Sequence, residues 1–332
     1  MINKITWGIL GCGDVTEAKS GPAFNKVPFS QIEAVMRRNA AKAADYAKRH
    51  QIEKWYSDAN ELINNPEINS IYVATPPAPH KEYAIKALQA GKNVYIEKPV
   101  TINVKECNDL IEAEKQSSNK VTVAHYRRAL PLFLKVKELV ENKAIGEVRA
   151  INLQLFQRSN SAQIAQTDEN WRINPEISGG GLFYDLAPHQ LDILIFIFGK
   201  PLQYQGFSSN QTKASKVADI TTGHILFKND VVFNGIWNFN ALPENEIEQC
   251  EIIGSKGKIV FPFFGHSLNL FSKNGHETFQ FEPPQHVQQN MIEKTVKYFL
   301  GEGENPCSLE DALLSLKIIR IFICWAIRSA AM

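Results

Sequence analysis

The chain has 332 residues, of which 44% are hydrophobic and 21% charged, a composition typical of a globular protein with two domains. The net charge of +1, without a basic run interleaved with aromatic residues, excludes nucleic acid as an expected partner. The longest apolar run, 191–198, is interrupted by Asp192 and is too short to span a bilayer. Because residues 1–10 hold no signal peptide, we expect a cytoplasmic protein without a membrane partner. Five cysteines without paired spacing predict neither a metal site nor disulfides.

The first motif is the stretch Ile5 to Thr16, ITWGILGCGDVT, which has the order of a strand, a tight glycine turn and a helix. Gly11 and Gly13 supply two glycines of the dinucleotide fingerprint, one for the sharp turn and one for close approach to a pyrophosphate. The pyrophosphate would lie at the N-terminus of the predicted first helix, 15–24, where the helix dipole favours an anion. Thr16 occupies the third glycine position, so a plain strand-turn-helix is the alternative interpretation.

Strands and helices alternate from this turn to about residue 124. We predict strands over 31–36, 70–74, 93–96 and 120–124, and helices over 40–49, 58–64, 80–90 and 103–117. Repeated βα units of this length predict a doubly wound parallel sheet, a Rossmann domain, over residues 1–125. In such a sheet, ligands bind beyond the carboxyl ends of the strands. The segments at these ends are 11–15, 37–38, 75–77, 97–99 and 125–128.

From Val148 onward the chain reads as strands joined by turns, which predicts an α+β domain over 126–332 with a mostly antiparallel sheet. We predict strands near 151–155, 217–227, 231–239, 247–253 and 258–263, one helix over 181–198, and a last helix from Ser308. A sheet with one open face and large apolar residues needs a cover. Phe233, Trp237 and Phe239 therefore predict that this sheet forms the interface of a homodimer or homotetramer.

Three motifs stand in a fixed order along the chain: the GCGDVT turn, Glu97-Lys98-Pro99 after a strand, and Gly179-Gly180-Gly181 followed by Asp185 and His189. With these motifs the whole chain resembles the glucose-fructose oxidoreductase, inositol dehydrogenase and rhizopine-catabolism (GFO/IDH/MocA) family of NAD(P)-dependent oxidoreductases. The resemblance implies that Lys98 contacts a substrate oxygen near the nicotinamide. It also implies that His189 is the acid/base and Asp185 a substrate ligand.

The residue types in these motifs suit the same chemistry. Lys98 follows a strand at the ligand edge of the sheet, where it can polarise a substrate hydroxyl or carbonyl, and a solvated surface lysine is the alternative. Asp185 and His189 are four residues apart, so on a helix they share one face and suit proton transfer. Pro188 deletes a helical hydrogen bond and should kink or restart that helix. A structural histidine bonded to Asp185 or Asp192 is the other interpretation.

The predicted cofactor-binding residues lie at or beside the strand ends: Gly11, Cys12, Gly13, Asp14, Val15, Arg37, Arg38, Thr75, Pro76, His80, Glu97 and Lys98. The predicted substrate-binding residues are Arg127, Trp171, Arg172, Asp185 and His189, although salt bridges and core packing would also explain the arginines and the tryptophan. Arg37 stands where an acidic residue binds the adenosine ribose of NAD, so we expect a preference for NADP. If Arg37 and Arg38 both lie in solvent or stack on the adenine ring, NAD remains a competitive cofactor.

The expected activity is therefore hydride transfer between NADP, or NAD, and a hydroxyl- or keto-bearing carbon of a sugar, polyol or related small molecule. Lys98 and His189 carry the proton chemistry. One alternative is a cofactor-binding sensor or regulator without turnover, against which the presence of Lys98, Asp185 and His189 together argues. The other is an enzyme similar to dihydrodiol dehydrogenase, which differs in its substrate.

Overall fold

The computed structural model describes residues 3–158, 180–213 and 216–323, which fall into two units. Unit 1 comprises Met1–Ala129 and Pro284–Leu313, and unit 2 comprises Leu130–Pro283 and Leu314–Met332. The predicted division at residue 125 differs from this, because a segment of 30 residues returns to unit 1 late in the chain. In unit 1 the returning Phe299 contacts the ring of Trp7 with a centroid distance of 5.7 Å. No local sequence pattern marks such a return.

Unit 1 contains the predicted parallel sheet, with strand order β3-β2-β1-β4-β5-β6. Its strands are β1 (Ile5–Leu10), β2 (Ser30–Met36), β3 (Lys54–Tyr56), β4 (Ser70–Val73), β5 (Asn93–Ile96) and β6 (Val121–Val123). The helices between them are α1 (Gly21–Phe24), α2 (Ala40–Arg49), α3 (Ala59–Ile63), α4 (His80–Gln89) and α5 (Val104–Lys115). Every residue of β4 and β5 is buried, as expected for central strands of a sheet covered on both faces.

Local sequence explains where several of these helices begin. The side chains of Asn39, Asp58 and Asn103 each accept hydrogen bonds from backbone N–H groups in the first turn of α2, α3 and α5. Such caps satisfy donors that have no partner inside the helix. Aromatic side chains of neighbouring strands also pack together in the core of unit 1, where Tyr72 of β4 and Tyr95 of β5 are stacked at a centroid distance of 5.1 Å.

The predicted first helix over 15–24 is wrong in one respect, because it is broken in two. Val15–Lys19 forms a single turn of π-helix, and α1 covers only four residues after the break at Ser20. A Cβ at Gly21 would overlap both the Thr16 carbonyl and the Tyr46 hydroxyl, which itself donates a hydrogen bond of 2.9 Å to Thr16 O. This close approach of α2, a tertiary contact, decides the break.

Unit 2 contains a sheet of eight strands in the order β14-β13-β12-β11-β7-β10-β9-β8, in which only β7 and β10 pair in parallel. Its elements are α6 (Pro131–Glu141), β7 (Val148–Phe156), α7 (Gly181–Phe198), β8 (Gln203–Ser209), β9 (Ile220–Leu226), β10 (Val232–Asn238), β11 (Ile247–Gly254), β12 (Gly257–Phe261), β13 (Ser267–Ser272) and β14 (Gly275–Gln280). The chain continues with α8 (Gln289–Leu300) and α9 (Leu309–Ile323). The mostly antiparallel sheet is confirmed.

The three aromatic residues predicted on the open face of this sheet lie on its covered face instead. Phe233, Trp237 and Phe239 are 0%, 0% and 3% exposed. Trp237 meets Phe183 of α7 edge to face at 5.1 Å and donates a hydrogen bond of 2.8 Å to Gln190. Because side chains alternate along a strand, the register assigns other residues to the opposite face. The exposed apolar ones among them are Phe207, Val232, Ile247 and Phe271.

Helix α7 is long and apolar enough to cross a membrane, but 78% of it is buried inside the structure, as in the core helix of a globular protein. It runs from Gly181 to Phe198 without interruption at Pro188, so the predicted restart of the helix is wrong. A proline inside a helix costs about 3 kcal/mol. Burial of the apolar side chains around it, each worth about 1.5–3 kcal/mol, offsets that cost.

Candidate active site

The glycine turn follows β1 and is held from both sides. Gly11 has φ +93°, a backbone conformation that residues with a side chain rarely adopt, and a Cβ there would come within 2.8 Å of Thr75, which follows β4. The amides of Gly11 and Cys12 both donate to the carbonyl of Met36, at 2.9 and 3.2 Å. Gly13 differs from them. Its Cα faces open space, and no residue that the structure describes accepts a backbone hydrogen bond from its amide.

This arrangement fits the pyrophosphate of a dinucleotide. An unobstructed turn with an available N–H group is what an anion needs. The hydroxyl oxygen of Thr75 is buried, and within the described part of the chain it has no hydrogen-bond partner. Such a hydroxyl suits a polar atom of a bound ligand. Asp14 is exposed and Val15 half-buried at the same turn.

Two contacts secure the segment after the turn. The Thr16 hydroxyl donates a hydrogen bond of 2.8 Å to the Gly13 carbonyl, so the residue at the third glycine position ties the turn to its first helical residues. Glu17 accepts two hydrogen bonds from Arg49, at 2.8 and 2.7 Å, and lies 2.9 Å from a ring nitrogen of His50. The Arg49 bonds, more than the His50 contact, lower the pKa of Glu17 to about 2.

Arg37 follows β2 and bends toward the glycine turn, where its Nη1 donates to the Cys12 carbonyl at 3.2 Å. Arg38 is exposed. The nearest acidic residue, Glu33, lies within β2 and accepts a hydrogen bond of 2.7 Å from Lys54. The structure therefore places a cation, and not a carboxylate, beside the turn at the end of the second strand.

Lys98 is half-buried directly beyond the carboxyl end of β5, after a buried carboxylate. Glu97 is 6% exposed and accepts hydrogen bonds of 2.6 Å from both the Tyr72 hydroxyl and the Gln288 amide. Tyr95 in turn donates to the Gln288 side-chain oxygen at 3.2 Å. The other carboxylate oxygen of Glu97 accepts from the backbone N–H of Lys98 at 3.2 Å. Glu97 thus points into the fold and fixes the start of the loop that carries Lys98.

Two further predicted residues of unit 1 are buried. His80 is the first residue of α4, and both of its ring nitrogens lie near backbone carbonyls. Arg127 is 7% exposed, with its guanidinium carbon 5.3 Å from the centroid of the Tyr126 ring. Pro76, in contrast, is exposed after β4. Two of the predicted substrate-binding residues, Trp171 and Arg172, lie outside the described residues. The same holds for Gly179 of the three-glycine motif.

In unit 2 the predicted pair lies on α7. Because α7 is continuous, Asp185 and His189 share one helix face, with Asp185 half-buried and His189 6% exposed. The ring of Phe264 meets the His189 ring edge to face, with centroids 6.0 Å apart. Both carboxylate oxygens of Glu248 accept backbone N–H groups, of Phe263 at 2.5 Å and Phe264 at 3.1 Å.

Several residues that support these positions were not predicted. Tyr72 and Gln288 donate hydrogen bonds to the carboxylate before Lys98, and Phe264 contacts the ring of His189. Tyr72 reads as an ordinary apolar strand residue, and Gln288 follows Glu97 by 191 positions. No local pattern in the sequence marks either as a neighbour of the site.

The fold and these residues define a class of protein: a dinucleotide-dependent oxidoreductase with a lysine at the cofactor edge of a Rossmann sheet. Comparison with known proteins agrees. Residues 5–125 match the family described as "Oxidoreductase family, NAD-binding Rossmann fold", and residues 133–260 match the "GFO/IDH/MocA C-terminal domain". The chain belongs to the GFO/IDH/MocA family of oxidoreductases.

Three relatives illustrate the likeness. Oxidoreductase P35 of Formosa agariphila is 49% identical over 97% of this chain and 99% of its own. A trans-1,2-dihydrobenzene-1,2-diol dehydrogenase of Xenopus laevis is 27% identical over 93% of this chain and 92% of its own. A solved structure of levoglucosan dehydrogenase with NADH and levoglucosan superposes with a TM-score of 0.85 at 23% identity, covering 99% of this chain and 97% of its own. At that identity the likeness shows the fold.

Proposed function

We propose that this oxidoreductase transfers hydride between a nicotinamide cofactor, preferentially NADP, and a hydroxyl- or keto-bearing carbon of a sugar, polyol or related compound. The observation that carries the proposal is the placement of Lys98 at the carboxyl end of β5, fixed by the buried Glu97. A lysine at the ligand edge of the sheet can contact a substrate oxygen there.

Each residue has one role in the proposed reaction. A bound nicotinamide supplies or accepts the hydride. The Lys98 ammonium group binds the reacting oxygen of the substrate and stabilises negative charge on it. His189 takes the hydroxyl proton during oxidation and returns it during reduction. Asp185 accepts a hydrogen bond from a substrate hydroxyl, and Arg127 is proposed as a further substrate ligand.

The preference for NADP rests on Arg37. A guanidinium group has five N–H donors, and the Cys12 carbonyl takes one of them. The remaining donors suit a 2′-phosphate, whereas a carboxylate at this place would repel it. Glu33, the nearest acidic residue, accepts a hydrogen bond from Lys54, so its carboxylate does not compete for the adenosine ribose. The NADH in the levoglucosan dehydrogenase structure shows what that relative binds.

A second candidate function is oxidation of an aromatic dihydrodiol. Its support is the 27% identity to the Xenopus laevis dihydrodiol dehydrogenase over 93% of this chain. Both reactions use the same hydride and proton chemistry and differ in the shape of the substrate. A substrate panel of sugars, polyols, inositols and diols, followed by nicotinamide absorbance with each cofactor, separates the two functions.

The roles of Lys98 and His189 are tested by substitution. We expect Lys98→Met or His189→Ala to lower kcat by roughly 10²–10⁴-fold, the usual loss for a general acid or base, with cofactor affinity nearly unchanged. Lys105→Met and His276→Ala are the matched controls, because both side chains are exposed and neither belongs to the proposed site. Wild-type kcat in both site variants would show that the site is misassigned.

We also propose that the protein forms a homodimer or homotetramer through the open face of the eight-stranded sheet, defined here by Phe207, Val232, Ile247 and Phe271. These side chains are 51%, 41%, 37% and 36% exposed. They lie on four strands of the same exposed face, and a second copy of the same sheet would supply a matching apolar cover.

A further inference from the structure

Gln288 lies in the segment that returns to unit 1 late in the chain, and it is 1% exposed. Its side-chain nitrogen donates a hydrogen bond of 2.6 Å to Oε1 of Glu97, and its side-chain oxygen accepts one of 3.2 Å from the Tyr95 hydroxyl. Its backbone N–H donates to the carbonyl of Lys19, the last residue of the π-helical turn, at 3.2 Å. Gln288 therefore joins the segment after the glycine turn to the carboxylate that precedes Lys98.

The Glu97 carboxylate is held at both of its oxygens. Oε1 accepts the bond from Gln288 and a second one of 2.6 Å from the Tyr72 hydroxyl, and Oε2 accepts from the backbone N–H of Lys98 at 3.2 Å. The backbone N–H of Glu97 donates to the Val73 carbonyl of β4 at 2.9 Å. The backbone and the side chain of Glu97 are thus both fixed, and with them the direction of the peptide bond that leads into Lys98.

Burial makes this arrangement sensitive to the loss of a donor. Glu97 is 6% exposed and Tyr72 is 0% exposed, so water does not readily replace a hydrogen bond that is removed. A buried carboxylate that loses a donor is poorly solvated and reorients toward other donors. Because Oε2 accepts from the Lys98 N–H, such a reorientation displaces the backbone at Lys98. A displacement of about 1 Å can cost about 10²-fold in rate.

We propose that Gln288 is a positioning residue of the active site, which fixes the Glu97 carboxylate and through it the backbone that carries Lys98. It acts through the carboxylate and not on the substrate itself. The effect on turnover rests on the proposed function of Lys98, whereas the hydrogen-bond network does not.

Removal of each donor to Oε1 is the first test. Gln288→Met keeps the length of the side chain and removes both of its polar ends. We expect kcat to fall by about tenfold or more and the cofactor Kd to change by less than about threefold, because a displaced Lys98 affects the reaction more than cofactor binding. Tyr72→Phe keeps the ring and removes the other donor, and it should lower kcat by about threefold. Thermal unfolding establishes the temperature range in which each variant is folded for the assay.

An exchange of the two side chains tests the hydrogen bonds themselves. In the double variant Glu97→Gln/Gln288→Glu, the amide nitrogen at position 97 donates to the carboxylate at position 288. The amide oxygen at position 97 accepts from the Lys98 N–H, and the Tyr72 hydroxyl can donate to Ser20 Oγ, 3.1 Å away. The contacts and the net charge are thus kept, so kcat should recover to within about threefold of the wild-type value.

Gln89→Met and the double variant Glu82→Gln/Gln89→Glu are the matched controls, because both side chains are exposed on α4. They should leave kcat unchanged. Wild-type kcat in Gln288→Met would overturn the positioning role, even if its unfolding midpoint were lowered. An exchange variant as slow as Gln288→Met would overturn the role of the hydrogen bonds.

Two further outcomes keep the proposal separate from folding and from the proposed function. If Gln288→Met is not folded at the assay temperature, wild-type kcat in Tyr72→Phe would overturn the proposal. If the wild-type protein turns over no member of the substrate panel, the proposed function fails. The unfolding midpoints then still test the network, because Gln288→Met should lower the midpoint and the exchange variant should restore it.

Discussion

At the scale of single residues, cofactor choice depends on Arg37. We expect the wild-type protein to bind NADPH at least about tenfold more tightly than NADH, because a charge-assisted hydrogen bond contributes about 1.5–3 kcal/mol and about 1.4 kcal/mol is one decade of affinity. Arg37→Asp should reverse the preference, since a carboxylate accepts from the ribose hydroxyls and repels the 2′-phosphate. Fluorescence titration of the protein with each reduced cofactor gives both affinities.

The control for Arg37 is Arg149→Asp, which makes the same charge change at an exposed position of β7 in unit 2. It should leave the ratio of the two affinities as in the wild type. Equal affinities of the wild-type protein for NADPH and NADH would contradict the proposed role of Arg37.

A second prediction at this scale concerns Glu17 and the pH dependence of thermal stability. Its pKa is lowered to about 2, mainly by hydrogen bonds from Arg49, from an ordinary value near 4.5. A carboxylate whose folded pKa is depressed stabilises the fold above its unfolded pKa and loses this contribution as pH falls through the folded pKa. Glu17→Gln should therefore lower the midpoint of thermal unfolding near pH 7, and the difference should shrink between about pH 4.5 and pH 2.

The size of the Glu17 effect is small because the side chain is 35% exposed. We expect a change of about 1–2 °C at neutral pH, consistent with a screened surface ion pair in a chain of this length. Glu82→Gln removes an exposed ion pair with Lys86 on α4 and serves as the control. A difference between wild type and Glu17→Gln that stayed constant from pH 7 to pH 2 would argue against this assignment.

At the scale of elements, the start of α7 depends on Gly181. Its φ is +82°, and a Cβ there would lie 2.7 and 2.8 Å from side-chain carbons of Val217. Gly181→Ala should cost about 1–2 kcal/mol for the backbone conformation and a further 1–3 kcal/mol, roughly, for the steric contact. Urea unfolding measures the loss of stability.

The opposite end of the same helix provides the control. Gly199 also has a positive φ, +77°, but a Cβ there would meet nothing within 4 Å. Gly199→Ala should therefore show only the backbone cost. If both variants lost the same free energy of unfolding, the Val217 side chain would move aside at no energetic cost. The packing against Val217 would then not limit the position of the start of α7.

At the scale of the whole molecule, the open face of the eight-stranded sheet should mediate self-association. We expect sedimentation velocity to show a dimer or tetramer at micromolar concentration, and Phe207→Asp or Val232→Asp to shift the population toward monomer, because a buried charge on an apolar interface is unfavourable. Leu134→Asp is the matched control, since Leu134 is a similarly exposed apolar residue on α6. A monomeric wild-type protein would refute this assembly.

Most of the fold could be predicted because the signals are local. The alternation of apolar runs with helical stretches specifies the parallel sheet of unit 1, and β5 and α2 occupy their predicted residues. The last helix, predicted to start at Ser308, begins there with a cap, a hydrogen bond of 3.1 Å from the Asp311 amide to the Ser308 hydroxyl. The glycine turn and the position of Arg37 after β2 are equally local.

What the sequence by itself determined is thus the order of elements, the family motifs and the candidate residues Lys98, Asp185 and His189. Only the tertiary structure decided which sheet face is covered, where the chain returns to unit 1, and that α7 continues through Pro188. It also decided that Glu97 and His80 point into the fold. The physical reason is the distance along the chain over which each kind of interaction acts. Turn chemistry and periodicity act over a few residues, whereas burial and hydrogen bonding join residues such as Glu97 and Gln288, which are 191 positions apart.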